Sequence, residues 1–355
     1  MEIYSIRTKE RETYKVELKF SLLWEAALGI AAITNSSLIE TLDLSQKKRK
    51  DIKTSLTKDM IKQLEYVQTH NTWKTLLQLL HNQDFKDLNS YCSFVKNLSS
   101  EELKAIAIPY LGSKLENKRI ELIEGSDQAL NELQQETKDK SFLPAYLEFI
   151  SKAETEKLKD HLINVMYGWY QTIIEPEKER IQAILERDIE SKKMMMEKLE
   201  PEQFIEWVTD GIKYPPEPGV FKVILIPHYI YRPWNVEADL EGVKVFYYPV
   251  ANESISFEDK YVPNKMLVQR YKALGDENRL KILKMIKAKR LNLQELTDEL
   301  KMGKTTVHHH LKILKSARLI SDESARYVVN SQTLELLSDE LKLYLEENDT
   351  TGGRE

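Results

Sequence analysis

The most constraining stretch of this sequence is residues 263–347, where five amphipathic helical patterns and a two-stranded ribbon follow one another with capping or breaking residues between them. Pro263 suits a helix start, and Met266, Leu267, Arg270, Tyr271 and Leu274 fill the next turns until Gly275 ends them. Asp276 is placed to cap a second helix, whose Leu280, Leu283 and Ile286 are expected to form one apolar stripe. Asn292 with Glu295 resembles a capping box and opens a third helix carrying Leu296 and Leu300. After a tight turn at Met302 and Gly303, a fourth helix is expected from Lys304 to about Ala317. Leu319 and Ile320, then Tyr327, Val328 and Val329, alternate as a ribbon turning at residues 322–325. A last helix over residues 333–347 carries Leu334, Leu337, Leu341 and Leu345 on one stripe and Leu336 and Leu343 on a second.

Charge singles out the same region. Residues 265–318 hold fourteen Lys or Arg against five Asp or Glu, a net of +9, in a chain whose net charge is -5. A concentrated basic segment on an acidic chain is the footprint of a polyanion site. On the fourth helix Val307, His310, Leu311 and Leu314 share a face that is expected to bury. Lys304, Thr305, Thr306, His308, His309, Lys312 and Lys315 lie on or near the other. Lysines and a helix N-terminus hold phosphates, while threonine and histidine reach base edges in the major groove of double-stranded DNA. Arg326 in the ribbon is the cation there that opposes Asp322 and Glu323, so little phosphate contact is expected from it.

The runs Leu274-Gly-Asp-Glu-Asn-Arg-Leu-Lys-Ile-Leu283 and Thr306-Val-His-His-His-Leu-Lys-Ile-Leu314 resemble ArsR-type winged helix-turn-helix regulators. The resemblance covers about 85 residues, a quarter of the chain. It implies a homodimer joined through the first and last helices, here Leu267, Tyr271, Leu336 and Leu343, with the Lys304 helix entering DNA. Three departures are visible. The stretch Leu293-Gln-Glu-Leu-Thr-Asp298 has no thiol where many relatives carry a cysteine pair for arsenite or soft metals. The last helix lacks the histidine and aspartate set of zinc-sensing relatives. Arg318 stands where a helix-ending glycine is usual, at a cost of roughly 1 kcal/mol if that residue is left-handed. No metal and no cofactor is therefore expected.

The rest of the chain, residues 1–255, is expected to be a separate regulatory or sensor domain, so the fold class is α+β, mainly α, with the winged helix over residues 262–348. The first twenty residues alternate around Ile3, Tyr4, Ile6, Val16, Leu18 and Phe20, which suggests two short strands with a charged turn at residues 9–13. Residues 22–210 follow a helical period, beginning with an apolar run at residues 22–33 that contains Glu25 and is expected to be a buried helix. Pro109, Pro144, Pro176 and Pro201 are expected near helix ends. After the breakers Tyr214-Pro-Pro-Glu-Pro-Gly219, strands are expected at residues 221–226, 229–232 and 243–248, joining the N-terminal pair in one small sheet. This region resembles the large domains of unknown ligand that precede some ArsR-type modules. Residues 251–263 are expected to be a linker, and 349–355 to be disordered.

Other signals point to blander roles. Successive helical residues diverge by about 100°, so His308, His309 and His310 cannot converge on one ion. Gly303-Lys304-Thr305 resembles the end of a phosphate loop, but Asp298 occupies the position of its first glycine. His70, His81, His161 and His228 are isolated and expected to be structural, and the run of cations at residues 47–50 a solvated face. Tyr229, Tyr231, Trp234, Tyr247 and Tyr248 suit a sheet core better than an apolar ligand pocket. Cys92 is the single cysteine, which excludes an internal disulfide. No apolar run reaches eighteen residues and no signal-peptide order is present, so no membrane partner is expected and the expected compartment is the cytoplasm. Two alternatives to a repressor with a modulating N-terminal domain, and with a small-molecule effector as a further partner, stay open. One is an N-terminal enzyme or small-molecule carrier with an appended autoregulatory DNA-binding module, and the other is an interaction scaffold.

Overall fold

The computed structural model describes residues 13–35, 38–256, 261, 263–323 and 326–346. The chain divides into two compact units, Met1–Val250 and Ala251–Glu355. The strand expected around Ile3 to Ile6, most of the turn before Thr13, and the C-terminal residues from 347 on lie outside the described residues. Among the described residues no helix is long and apolar enough to cross a membrane.

The first unit is built around α1 (Leu22–Thr34), which is buried almost all round and so belongs in a core rather than on a surface. Ser21 caps it by accepting from the Leu23 amide. Gly29 is required by its neighbour: a Cβ there would sit 2.8 Å from the indole nitrogen of Trp169. Around α1 run α2 (Gln46–Ser55), α3 (Lys58–His70), α4 (Trp73–Asn82), α5 (Leu88–Asn97) and α6 (Ser100–Ala107). They are followed by α7 (Glu116–Ile123), α8 (Asp127–Glu136), α9 (Leu143–Lys152) and α10 (Thr155–Trp169). A π-helical turn, Tyr170–Ile174, leads to α11 (Lys178–Met196) and α12 (Pro201–Val208). Pro144 and Pro201 sit in the first turns of α9 and α12, where a missing N–H costs nothing.

The sheet has the order β1-β2-β4-β3 among the described residues: β1 (Lys15–Leu18), β2 (Lys222–His228), β3 (Val236–Leu240) and β4 (Val243–Pro249). β1 and β4 both pair parallel to β2, and β3 closes the far edge antiparallel to β4. In β4 Val245, Phe246, Tyr247 and Tyr248 are all buried, the continuous apolar run of a strand covered on both faces. Tyr231, Tyr247 and Tyr248 are core, and Trp234 is partly exposed with its indole N–H donated to Thr41.

Two expectations are corrected here. Residues 229–232 are a turn, not a strand. The amides of Tyr229 and Ile230 donate to the carboxylate of Glu25, at 2.9 and 2.7 Å, instead of to a neighbouring strand. Burial pushes Glu25 up to about 7, against the pull of those two donors. β3, which no strand expectation covered, has a charged, outward-facing edge in Glu237 and Asp239 and buries only Ala238 completely.

In the second unit a short helix, α13 (Asn252–Ile255), occupies part of the expected linker. Then come α14 (Lys265–Leu274), α15 (Glu277–Ala288), α16 (Leu293–Leu300), α17 (Lys304–Ser316), β5 (Ile320–Glu323), β6 (Arg326–Val329) and α18 (Ser331–Glu346). This is a winged helix-turn-helix, with Ile282, Leu283, Ile286, Leu296, Val307, Leu311, Leu314 and Leu319 in one core. Leu280 is 50% exposed, contrary to the expected stripe. Steps of three residues drift by about 60° per step around a helix, so the buried face runs through Ile282 instead.

Candidate nucleic-acid interface

Local chemistry fixes the helix-turn-helix. Asn292 accepts from the Glu295 amide at 3.0 Å, and the Glu295 carboxylate accepts from the Asn292 amide at 2.8 Å, so α16 begins with a complete capping box. It ends at Lys301, which is left-handed (φ 52) and returns its amide to Asp298, while Met302 returns to Thr297. The left-handed residue of the turn is thus a lysine, and Gly303 is extended and caps α17 without a side chain. The first amides of α17 have no side-chain cap to compete with a phosphate.

Lys304, Thr305, Thr306, His308, His309 and Lys312 face solvent along α17, and none of them is in an ion pair among the described residues. Lys315 is also exposed, but its ammonium pairs with Asp322 in β5. Beneath them Val307, His310, Leu311 and Leu314 are buried. His308 and His309 are therefore exposed while His310 is buried, its Nδ1 3.9 Å from Asp276 and its ring 6.3 Å from that of His309. Asp276 caps α15 by accepting from the Arg279 amide, the main reason its carboxyl is held below the usual range; Arg279 and His310 charges add to that.

The end of α17 is a Schellman motif: Arg318 donates its amide to Lys315 and Leu319 to Leu314. Arg318 is left-handed (φ 55), as its glycine-like place in the sequence suggested. In the wing, Arg326 donates to the Glu295 carboxylate at 3.0 and 3.2 Å and to the Arg290 carbonyl at 2.5 Å. The Asn292 amide first, and then Arg326, hold the Glu295 carboxyl below its ordinary range. That Arg326 fork and its contact back to α16 were not foreseeable from the ribbon alone.

The four residues expected between protomers are placed unevenly. Tyr271 is exposed on α14 and Leu336 half-buried on α18, whereas Leu267 is only 4% exposed and belongs to its own chain's packing. The side chain of Leu343 lies outside the described residues. Cys92 is half-exposed on α5, in the other unit, and burial pushes its thiol up. Among the described residues no three or more His, Cys, Asp or Glu side chains gather as a metal site. The four isolated histidines are held by neighbours: His161 between Thr72 and Gln63, His81 against Tyr247, His228 on the Trp234 carbonyl, and His70 stacked on Phe149.

Comparison with known proteins falls on this same unit. The family model described as "Bacterial regulatory protein, arsR family" matches residues 276–322, from the cap of α15 to β5. The chain is 30% identical over 76 residues to the transcriptional repressor SdpR of Bacillus subtilis (strain 168), taking in 21% of this chain and 84% of that protein. No solved structure matches the chain. A DNA-binding transcription regulator with a large additional N-terminal unit, the chain belongs to the arsR family of bacterial regulatory proteins.

Proposed function

We propose that the protein is a homodimeric transcriptional repressor that reads double-stranded DNA with α17, and that its N-terminal unit modulates that binding in response to a small-molecule effector. The observation that carries the reading is the division of α17 into a buried apolar face and an exposed face of lysine, threonine and histidine. The output is taken from the relative, which is named a repressor. Dimerisation is supported by Tyr271 on α14 and by the exposed Leu345 on α18, large apolar groups on the two helices that flank the unit. Lys304, Thr305, Thr306, His308, His309 and Lys312 are the proposed contacts, with Lys315 and Arg326 in reserve while their carboxylate partners hold them.

The test begins with selection of a binding site from random duplex DNA by the full-length protein. Full-length protein sedimenting as a dimer, a two-fold related site, and lowered expression from a reporter carrying that site are the expected results. A monomer at tens of micromolar, or raised expression, would overturn dimerisation or repression respectively.

A further inference from the structure

A cleft of about 390 Å³ opens between α4, the end of α6 and the end of β3. That lies within the range of small-molecule sites, roughly 300–1,000 Å³. Its walls divide by chemistry. Ile106, Ile108 and Leu240 supply an apolar side, while Gln78, His81 and Asn82 line the other. Their spacing of three and four residues puts these polar groups on one face of α4.

Gln78 is the unusual member. It is only 5% exposed and lines the cleft, yet its side-chain amide has no hydrogen-bond partner among the described residues. Buried amides are almost always paired, so one left open toward a cavity marks a place for a complementary group.

The surrounding charges disfavour an ionic guest. Arg119 is fully engaged: its Nε donates to the Glu116 carboxylate at 3.0 and 3.1 Å, and Nη1 to the carbonyls of Ala105 and Ile108 at 3.0 Å. His81 gives one ring nitrogen to the Tyr247 hydroxyl, and burial, with Lys74 and Lys19 nearby, pushes it down to about 3, so the ring is neutral. Glu241 also lines the cleft, and Lys74 lies one turn before Gln78 on α4.

We propose that this cleft is the effector site of the N-terminal unit, taking a small uncharged molecule with an apolar body and a planar donor–acceptor edge, such as a carboxamide or lactam, that pairs with the Gln78 amide. The effector role rests on the reading above that this unit modulates DNA binding; the binding site itself does not.

The full-length protein is titrated with benzamide, benzoate and benzylamine, which share one ring and differ in charge, and followed by ligand-observed NMR. Benzamide is expected to saturate at millimolar concentration, with the two ions at least tenfold weaker. Gln78→Leu keeps the volume but removes the amide, and is expected to weaken benzamide at least tenfold. Ala105→Trp, which fills the cleft from its exposed side, is expected to abolish binding, and thermal unfolding within a few degrees of wild type shows both variants folded. Benzamide is also expected to change the affinity for the selected DNA at least twofold in the wild type and not in Gln78→Leu. Failure to saturate, equal binding of the ions, or binding unchanged in both variants overturns the site. Gln78-dependent binding with unchanged DNA affinity keeps the site and overturns the modulation.

Discussion

Arg270 on α14 and Glu340 on α18 form an ion pair in which each side chain is 9% exposed, with Nη1 2.6 Å from Oε2. A buried pair is most costly when halved, because the remaining charge has neither water nor partner. Glu340→Ala is expected to destabilise the winged-helix unit by about 3–5 kcal/mol, whereas Arg270→Met with Glu340→Leu costs far less or nothing. Urea unfolding followed by circular dichroism compares the two; equal losses would contradict this account. Since both helices are proposed to carry the dimer contacts, the single variant should also dissociate more readily in sedimentation.

Along α17 the expected effects divide by the face. Lys304→Ala and Lys312→Ala should weaken selected and scrambled DNA alike and shallow the salt dependence by about one ion per dimer half. Thr305→Ala and His308→Ala should cost roughly 1–3 kcal/mol per lost base contact, mainly on the selected site. Leu311→Ala should unfold the unit, at about 2–5 kcal/mol. Binding isotherms at several salt concentrations separate these outcomes. Wild-type affinity in folded Lys304, Thr305 and His308 variants would remove α17 as the reading helix.

The wing should be nearly silent until it is released. Arg326 is committed to Glu295, so Arg326→Ala is expected to leave the salt slope unchanged. Glu295→Gln keeps an acceptor for the α16 capping box but removes the charge that holds Arg326. It should steepen the slope and tighten non-specific binding. No change in slope with Glu295→Gln would mean that Arg326 does not reach the phosphates.

Soft and divalent metals should not release the protein from DNA. α16 carries no cysteine, and Cys92 lies in the other unit. Arsenite, zinc and cadmium are each titrated against a preformed complex in a gel-shift assay. Dissociation at one equivalent that persists in Cys92→Ser would refute the expectation.

Acid should weaken the first unit through its buried histidines. Burial pushes His81 and His228 down to about 3 and His161 to about 4, while unfolding restores them to about 6.5. Between those values the unfolded chain binds more protons than the folded one, so stability falls as pH drops from 6.5 through 4. Glu25, raised to about 7, takes up a proton on folding and opposes this over part of the same window, one group against three. Urea midpoints should be lower at pH 5 than at pH 7, with a smaller difference in His161→Gln. A midpoint that rises on acidification would show Glu25 prevailing.

The second unit was legible because its signals are local. A capping box needs only Asn292 and Glu295, and a reading helix only the period of Val307, His310, Leu311 and Leu314. Legibility ended where partners are remote. Glu25 and the amides of Tyr229 and Ile230 are about 200 residues apart, so residues 229–232 passed for a strand. The open amide of Gln78 is visible only once α6 and β3 are set beside α4. Leu267 shows a different limit: an apolar residue on a terminal helix serves its own core or a partner equally well until the packing is known.

The pairing of β1 with β2 also has a consequence in time. Lys15 lies opposite Lys222, so β1 leaves the ribosome some 200 residues before its neighbour exists. At roughly 5–20 residues per second, that is a wait on the order of ten to forty seconds. Throughout it Val16 and Leu18 present an unpaired strand to the cell. The sheet therefore closes late in synthesis, and nascent chains stalled before residue 225 should be the ones that chaperones retain.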